Sequence, residues 1–377
     1  MTTTTDMRLT KQVGRVDSMV VPLDREQQTR FERLMDTITM VDMHEHPMVL
    51  TDDVNDLHTY FRSHTYVWAY EAVRHGGWTA VGTANGLSCS ANSSDGSFSR
   101  FEDLLEEVAL MQADLTKNAS DVLRITSADD VLNARQRGAI AFLPTVEHLA
   151  LGHELHRVDV LYGVGVRLAG LTYMRKTYVG DGQNERTDCG LSELGIEVVR
   201  RMNDLGMVID LSHAGSRTAL EAIEHSQAPV VFSHNAAHAI WPTARPRCDK
   251  DFVACADKGG LVCVTAVPNS LSNDPHQNIN CVLDHYDYLV KLVGVDHVGI
   301  GTDTLVGDHV GFHKLGASRR AASGLPSTFP AEYLNGLESP ADGKNIIRGL
   351  IARGYSDEDI ARIAGLNAID LLRRTIG

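Results

Sequence analysis

Short apolar runs rich in β-branched residues alternate along this chain with longer stretches of helical periodicity. Nearly continuous apolar runs are typical of strands that are buried on both faces. We therefore predict eight strands: Thr39–His46, Thr79–Asn85, Ala139–Glu147, Gly165–Tyr173, Met207–His213, Pro229–His234, Leu261–Pro268 and His297–Asp303. Helices are predicted between several of them: Glu197–Leu205, Ser216–Ser226, Lys250–Lys258 and Val282–Val293.

The alternation of strands and helices predicts an α/β fold, a parallel (β/α)8 TIM barrel. An open doubly wound sheet is the alternative, but no GxGxxG or GxxxxGK[ST] motif follows any predicted strand. Residues 1–22 are Thr-rich and aperiodic, so we expect a flexible N-terminal arm before a single barrel domain over residues 23–377. Four long segments are expected to be loops over the C-terminal face of the barrel: Thr51–Trp78, Gly86–Thr116, Val179–Glu193 and Leu305–Asp342.

Composition and charge narrow the set of partners. The 377 residues are 43% hydrophobic and carry a formal net charge of −14, whereas nucleic-acid and anionic-membrane partners need clustered Lys and Arg. No apolar run reaches the roughly 18 residues of a membrane span, and no signal-peptide pattern begins the chain. The six cysteines include no CxxC pair. We therefore expect a cytoplasmic protein with a small-molecule substrate and no nucleic-acid or membrane partner.

Ionisable side chains stand at the ends of five predicted strands. The C-terminal ends of barrel strands meet at one mouth, where barrel enzymes keep their catalytic groups. A folded core has no structural need for such a cluster, because each group would cost free energy if it were buried unpaired. A divalent cation would account for the whole set. In chain order the residues are His44, His46, Glu147, His213, His234 and Asp303.

The residue types suggest how two ions would be shared. Imidazole and carboxylate ligands suit Zn²⁺, so we assign His44 and His46 to a first ion and His213 and His234 to a second. Glu147 has two oxygens and can bridge two ions about 3.5–4 Å apart. A water between such ions loses a proton near neutral pH and becomes a nucleophile.

Two further residues receive roles in this hypothesis. Asp303 is predicted to take the proton of the nucleophilic water and return it to the leaving group. Its use as a further metal ligand is the alternative. His238 follows His234 on a predicted turn and is expected to orient a ligand through its ring N–H.

The chain from about residue 36 to its end resembles the membrane (renal) dipeptidase family of the amidohydrolase superfamily. The resemblance rests on the segments Gly190–Gly195, Val199–His213, Ala228–His234, Asp284–Tyr286 and Val295–Asp303. It implies a binuclear zinc barrel that hydrolyses an amide bond in a dipeptide, or a similar small molecule with a free carboxylate. It also makes a homodimer the expected assembly.

The resemblance also implies a carboxylate-binding arginine. In the family this arginine lies eleven residues after the sixth-strand histidine, a spacing that falls on Arg245 here, with Arg247 as the fallback. A guanidinium fork suits a planar carboxylate. An exposed loop arginine without a ligand remains the alternative.

Three positions depart from the family pattern. His44-x-His46 stands where the family has His-x-Asp, which makes the first ion site one unit less negative. Tyr173 stands where the family has a histidine that polarises the scissile carbonyl; a phenol can donate to a developing oxyanion but cannot carry a positive charge. His148 follows Glu147 where a small residue is usual.

These departures leave alternatives to the principal prediction, which is amide hydrolysis by attack of a metal-bridging hydroxide. The first is a hydrolase of a cyclic amide, lactone or ester of a small metabolite, and the second is a metal-dependent decarboxylase on the same barrel. A catalytically silent metal-binding protein is disfavoured, because no member of the inferred ligand set is missing.

Overall fold

The computed structural model describes residues 8–10, 19–61, 67–86, 100–243, 247–322 and 333–377. Its strands are β1 Val41–Asp42, β2 His46–Val49, β3 Ala80–Gly82, β4 Val122–Arg124, β5 Ile140–Leu143, β6 Thr145–Val146, β7 Leu168–Gly170, β8 Val208–Asp210, β9 Val231–Asn235, β10 Leu261–Val264, β11 Val298–Ile300 and β12 Leu305–Val306. Its α-helices are α1 Arg25–Thr37, α2 Leu57–Tyr60, α3 Tyr70–His75, α4 Phe101–Lys117, α5 Asp129–Arg137, α6 Arg157–Gly163, α7 Glu193–Leu205, α8 Ser216–His225, α9 Asp249–Asp257, α10 Ile279–Val293, α11 His309–Ala322, α12 Lys344–Ala352, α13 Asp357–Ala361 and α14 Asn367–Thr375. Short 3-10 turns cover Val54–Asp56, Pro268–Ser270, Val295–His297 and Pro340–Asp342, and a π-helical segment covers Arg362–Leu366.

Eight parallel strands close into a ring. Hydrogen-bonded neighbours follow the order β4, β5, β3, β1, β11, β10, β9, β8, β7 and β6. The segments β5 and β6 are one stretch of chain interrupted only at Pro144, so this stretch pairs with β3 on one side and with β7 on the other. The carbonyl of Leu143 accepts from the Thr83 amide, and the carbonyl of Pro144 accepts from the Arg167 amide. The predicted barrel is confirmed.

Alternate side chains of the strands point into the barrel and outward to the layer of helices. Val41, Ala141 and Leu261 belong to one buried cluster with Leu371 of helix α14, whereas Phe142 and Val262 belong to a second cluster shared with the outer helices. Successive strand side chains point to opposite faces, and both faces are covered here. This double burial explains the continuous apolar runs in the sequence.

Capping residues set the ends of the helix that precedes β8. Ser192 caps α7, because its side chain accepts a hydrogen bond from the Gly195 amide, and Gly206 ends it in the left-handed conformation with φ 71°. The helix therefore begins at Glu193, one turn before the predicted Glu197. Ser356 likewise caps α13, with the Asp359 amide as donor.

Three segments that were expected to be loops contain helices, and the first of them, Thr51–Trp78, contains the short helices α2 and α3. Helix α4 lies within the segment Gly86–Thr116 and ends one residue beyond it, and helix α11 lies within the segment Leu305–Asp342. In α4 the buried residues Leu104, Val108, Met111 and Leu115 recur at helical spacing, so the amphipathic pattern outweighs the loop interpretation. Strand β4, which pairs with β5, was also missed.

Most of the N-terminal arm, residues 1–7 and 11–18, lies outside the described residues. Leu9 forms an antiparallel bridge with Thr51. The amide of Val21 donates to Asn345 Oδ1 at 2.8 Å. The described parts of the arm thus contact the barrel and its C-terminal helices.

Candidate metal centre

The predicted site residues converge at the C-terminal mouth of the barrel. The segments that follow β1 and β11 run side by side there: the Asp303 amide donates to the His44 carbonyl, and the His46 amide donates to the Thr304 carbonyl. Strand β1 ends at Asp42, so the two histidines do not lie on one regular strand as the sequence suggested. His44 follows a turn in which the Asp42 carboxylate accepts from the His44 amide.

A first cluster joins His44, His46 and Glu147. One potential ligand atom from each lies within 4.8 Å of the other two, and all three residues are buried. The rings of His44 and His46 meet edge to face with centroids 5.4 Å apart. These are the three residues that sequence analysis placed around the first ion.

A second cluster joins Glu147, His213 and His234. The Nε2 atom of His213 lies 2.9 Å from Glu147 Oε1 and 3.0 Å from His234 Nε2. Glu147 is common to both clusters, and its backbone amide donates to the Asn85 carbonyl. The neighbouring Gly170 is required for this approach, because a Cβ atom there would lie 2.0 Å from the Glu147 carbonyl oxygen.

The donor set fits divalent ions. An imidazole nitrogen carries at most one proton, so His213 Nε2 cannot donate to Glu147 and accept from His234 at once. Lone pairs on nitrogen and oxygen thus converge on one small buried volume, which a cation would stabilise. Imidazole nitrogen and carboxylate oxygen are ligands that Zn²⁺ accepts.

Ser233 lies beneath both clusters. Its hydroxyl donates to Asp210 Oδ2 at 2.5 Å, and its oxygen lies 2.8 Å from His234 Nδ1 and 3.3 Å from His44 Nδ1. Asp210 also accepts from the Ser233 amide and from both the amide and the hydroxyl of Ser212. Burial raises the pKa of Asp210, and these donors oppose the rise. Asp210, His44 and His234 form a third group of converging ligand atoms.

A pair of buried carboxyl groups supports the first cluster from below. Burial raises the pKa of Asp42 to about 6, against hydrogen bonds from Thr302 and the His44 amide. Burial and the charge of Asp42 raise the pKa of Glu45 well above its usual range. Thr302 Oγ1 donates to this pair, and Thr304 Oγ1 lies 2.9 Å from Glu45 Oε2. Burial thus opposes ionisation of both carboxyl groups.

Asp303 faces the first cluster. Its Oδ1 atom lies 3.2 Å from His46 Nε2 and 3.7 Å from His44 Nε2. Burial opposes ionisation of the carboxyl, but the hydrogen bond with His46 and the charges of both imidazoles hold its pKa well below the usual range. Its backbone has φ 58°, a left-handed conformation that Asp and Asn tolerate better than most residues. Strained backbone of this kind is often found at functional sites.

Tyr173 stands beside the second cluster. Its ring centroid lies 4.4 Å from that of His213 and 5.0 Å from that of His148. Burial lowers the pKa of His148 to about 4, so this imidazole is neutral at pH 7. Tyr173, which stands where the family has a histidine, thus lies next to the neutral imidazole of His148.

The remaining predicted residues lie differently. His238 Nδ1 lies 3.2 Å from the Thr243 carbonyl oxygen in its own loop, and among the described residues no hydrogen bond joins its ring to a predicted ligand. Arg245 lies outside the described residues. The fallback Arg247 is buried: it donates to the Ala214 carbonyl at 2.5 Å and stands 3.7 Å from the Asp251 carboxylate.

Sequence reasoning also missed Glu107 and His309, which lie near the mouth. Glu107 of helix α4 is 1% exposed, accepts from the Gly86 amide, and contributes to raising the pKa of His46. Its place on the buried face of an amphipathic helix was the available signal. His309 begins helix α11 and interacts electrostatically with Asp303 and His46. It belonged to a segment that was interpreted as a loop.

A small pocket opens beside Thr304, the residue after Asp303. Its wall includes Ala266, His309, Leu334 and Glu338. The lining therefore combines apolar and polar side chains, as in many small-molecule pockets.

A parallel barrel that gathers imidazoles and carboxylates at the C-terminal ends of its strands is the architecture of barrel metalloenzymes. A model of the membrane dipeptidase family (peptidase family M19) matches residues 28–317, and the chain belongs to that family. Dipeptidase tcpJ of Claviceps purpurea is 28% identical over 275 residues, which cover 72% of this chain and 59% of the relative. Dipeptidase 3 of Mus musculus is 29% identical over 282 residues, which cover 71% of this chain and 51% of the relative. The matched region is thus about three fifths or less of each relative.

Solved structures share the fold. An amidohydrolase from Pseudomonas aeruginosa superposes with a TM-score of 0.75 at 24% identity, covering 92% of this chain and 98% of its own. A metallo peptidase from Rhodobacter sphaeroides, liganded with a phosphinate mimic of the dipeptide L-Ala-D-Ala, superposes with a TM-score of 0.69 at 20% identity, covering 90% and 99%. Within the described part of this chain, no helix has both the length and the apolar composition needed to span a bilayer.

Proposed function

We propose that this protein is a metal-dependent hydrolase that holds two divalent ions, Zn²⁺ by the chemistry of the ligands. Its proposed reaction is the cleavage of an amide bond in a dipeptide or dipeptide-like molecule with a free carboxylate. The observation that carries the proposal is the position of Glu147, which belongs at once to the cluster with His44 and His46 and to the cluster with His213 and His234. A shared carboxylate between two sets of imidazoles is the ligand arrangement of a binuclear site. Membership of the dipeptidase family supports the amide substrate.

Two residues of the chain would act on the substrate. When bound, the ions would supply a nucleophilic water at neutral pH and would polarise the scissile carbonyl. Asp303, whose carboxylate faces the first cluster, would hold the proton of that water and deliver it to the leaving nitrogen. Tyr173 would donate a hydrogen bond to the carbonyl oxygen as negative charge develops on it.

Ser233 would position one ligand of each ion. Its single proton is donated to Asp210, so its lone pairs accept the Nδ1–H groups of His44 and His234. With Nδ1 protonated, the Nε2 atom of each neutral ring carries the lone pair that binds a metal. One hydroxyl would therefore fix the tautomer of a histidine in both ion sites.

The substrate carboxylate would bind to Arg245, the position that the family spacing indicates. The contacts of Arg247 with Ala214 and Asp251 make that arginine a structural element of the loop. Arg245→Ala is expected to raise KM for a dipeptide more than it lowers kcat, because a ground-state contact is removed. Unchanged kinetics in this variant would exclude the role.

The function is tested by metal content and substrate preference in one preparation. We expect about two equivalents of zinc per chain by elemental analysis and hydrolysis of L-amino-acyl dipeptides. The same dipeptides with an amidated C-terminus should be poor substrates, since they lack the carboxylate. Protein that binds no metal, or that hydrolyses amidated and free dipeptides equally, would contradict the proposal.

A second candidate is hydrolysis of a cyclic amide, lactone or ester of a small metabolite. Tyr173 favours it, because this residue replaces an imidazole that could carry a positive charge next to the carbonyl. Substrates with a more reactive carbonyl need less polarisation. Faster turnover of lactones and esters than of dipeptides by the zinc-loaded protein would select this candidate.

The proposal includes a single barrel domain over residues 23–377, a homodimer and a cytoplasmic location. These stay predictions. Limited proteolysis would test the domain, since cleavage should remove only residues before about 23. Light scattering would test the dimer.

A further inference from the structure

We propose that His309 and His313 of helix α11 form a separate transition-metal site in the wall of the pocket, and that an ion bound there inhibits the enzyme. Among the described residues, neither histidine belongs to the clusters of the candidate metal centre. The inhibitory effect rests on the proposed hydrolase function, whereas the binding of the ion does not.

The two imidazoles have the separation of a chelating pair. His309 and His313 are four residues apart on one helix, so their side chains share a face. Their Nε2 atoms lie 2.8 Å apart, and their ring centroids 4.4 Å. Two nitrogens bound to one ion at about 2.0–2.1 Å stand about 2.8–3.4 Å apart for bond angles between 90° and the tetrahedral value. An outward movement of a few tenths of an ångström would admit an ion in place of the shared proton.

The same separation occurs where the candidate metal centre binds its second ion. There His213 Nε2 and His234 Nε2 lie 3.0 Å apart. The histidine pair of helix α11 therefore repeats, at a second place in the molecule, the nitrogen geometry of the main site. It offers two protein ligands rather than three, so we expect weaker binding with water in the remaining positions.

The first turn of the helix is held in place. Asp308 Oδ1 accepts from the Gly311 amide at 2.7 Å, and Tyr333 donates its hydroxyl to the same oxygen at 2.5 Å. Val310 is 5% exposed and packs into the protein beside the pocket. Because these contacts hold the turn that carries His309, less ordering entropy is lost when an ion binds.

The location explains why an ion there would inhibit. Both histidines line the cavity that also contacts Thr304, the residue after the proposed base Asp303. His309 interacts electrostatically with Asp303. An ion with its water shell would therefore occupy space next to the reacting groups and stabilise the ionised form of their carboxylate. Inhibition should appear only when zinc exceeds the amount needed to fill the main centre.

The test is a zinc titration of the holoenzyme by equilibrium dialysis, with hydrolysis measured on the same samples. We expect the wild-type protein to bind one further equivalent, more weakly than the main centre, and to lose activity as that equivalent binds. His313→Asn should lack it, and its inhibition midpoint should rise about tenfold or more, since even partners outside the ligand shell change metal affinity about 10–100-fold. His309→Asn is a second variant with the same expectation, and His225→Asn on helix α8 is the matched control that should behave as wild type.

The readouts separate the two proposals. The inference is overturned if His313→Asn and His309→Asn retain the further equivalent and the wild-type inhibition midpoint, or if wild-type protein binds no zinc beyond the main centre. If the protein with only its main centre filled hydrolyses none of the dipeptides, while the further equivalent binds to wild type and is absent from His313→Asn, the proposed function is contradicted and the metal site is supported. Co²⁺ binding, followed by its visible absorption in each variant, gives a reading that does not depend on turnover.

Discussion

Replacing Ser233 with alanine removes one hydroxyl that serves both proposed ion sites. The variant loses the acceptor that lies 2.8 Å from His234 Nδ1 and 3.3 Å from His44 Nδ1, and it removes one donor from the Asp210 carboxylate. The side chain of Ser233 is fully buried, so water does not readily replace these contacts. No steric clash is introduced, because alanine is the smaller residue.

The magnitude follows from the number of ligands affected. Loss of an outer partner of a metal-binding histidine typically lowers metal affinity about 10–100-fold, or about 1.4–2.8 kcal/mol. Ser233 contacts one histidine from each cluster, so the affinity for both ions should fall by this factor. The free energy of unfolding of the metal-free protein should also fall, by about 1.5–3 kcal/mol, since a hydrogen bond to the Asp210 carboxylate is removed.

The assay combines two measurements and a matched control. Competition with a chromophoric chelator gives the two zinc affinities, and urea denaturation gives the stability of the metal-free protein. Ser212→Ala is the control, because it also removes a hydroxyl donor from Asp210, at 2.7 Å, but leaves the contacts of Ser233 with both imidazoles. Equal zinc affinities in the two variants would refute the positioning role, as would a loss confined to one of the two ions.

Three further outcomes are expected. Asp303→Asn should keep the fold and the metal, since Asn also tolerates φ 58°, but kcat should fall about 10²–10⁴-fold; unchanged kcat would remove the proposed base. Dialysis against a chelator should abolish hydrolysis and lower Tm, and zinc should restore both; activity that survives complete removal of metal would exclude metal dependence. Burial opposes ionisation of Asp130, but hydrogen bonds from two preceding backbone amides hold its pKa below the ordinary 3.8. Its stabilising effect is therefore present at neutral pH and is lost as the pH falls below 3.8 and through the lowered pKa. Asp130→Ala should lower the free energy of unfolding by about 0.5–1 kcal/mol at pH 7, a range reduced because solvent screens this partly exposed carboxylate, and by less at pH 3; equal costs at both pH values in denaturant titrations would contradict this.

The barrel could be predicted because its signal is local. Strands such as β5 and β10 are buried on both faces, and that burial requires the continuous apolar runs that the sequence displays. The meeting of the strand ends follows from the topology alone. The ionisable side chains at the ends of five strands could therefore be placed at one mouth of the barrel before any contact between them was known.

Contacts that join distant segments could not be read from the chain. The approach of His46 to Asp303 depends on the parallel pairing of β2 with β12, and short pairings of this kind leave no periodic signal. The position of Ser233 under both clusters depends on how closely β9 approaches the segment after β11 inside the barrel: a Cβ on Gly301 would lie 1.6 Å from the Ser233 carbonyl oxygen. Helix α4 with Glu107 was different, since its buried residues follow a helical period that was available in the sequence.

Pro144 has a consequence for how this chain can change in length. It stands where one stretch of strand exchanges one partner for another, and only two residues separate it from Glu147. Deleting or adding one residue in that interval would reverse the side to which the carboxylate points, and both ion sites would lose a ligand in a single step. Insertions after His148 do not change the side to which Glu147 points. The loops that form the substrate walls can therefore vary in length after His148, in evolution or in the laboratory, but not between Pro144 and Glu147.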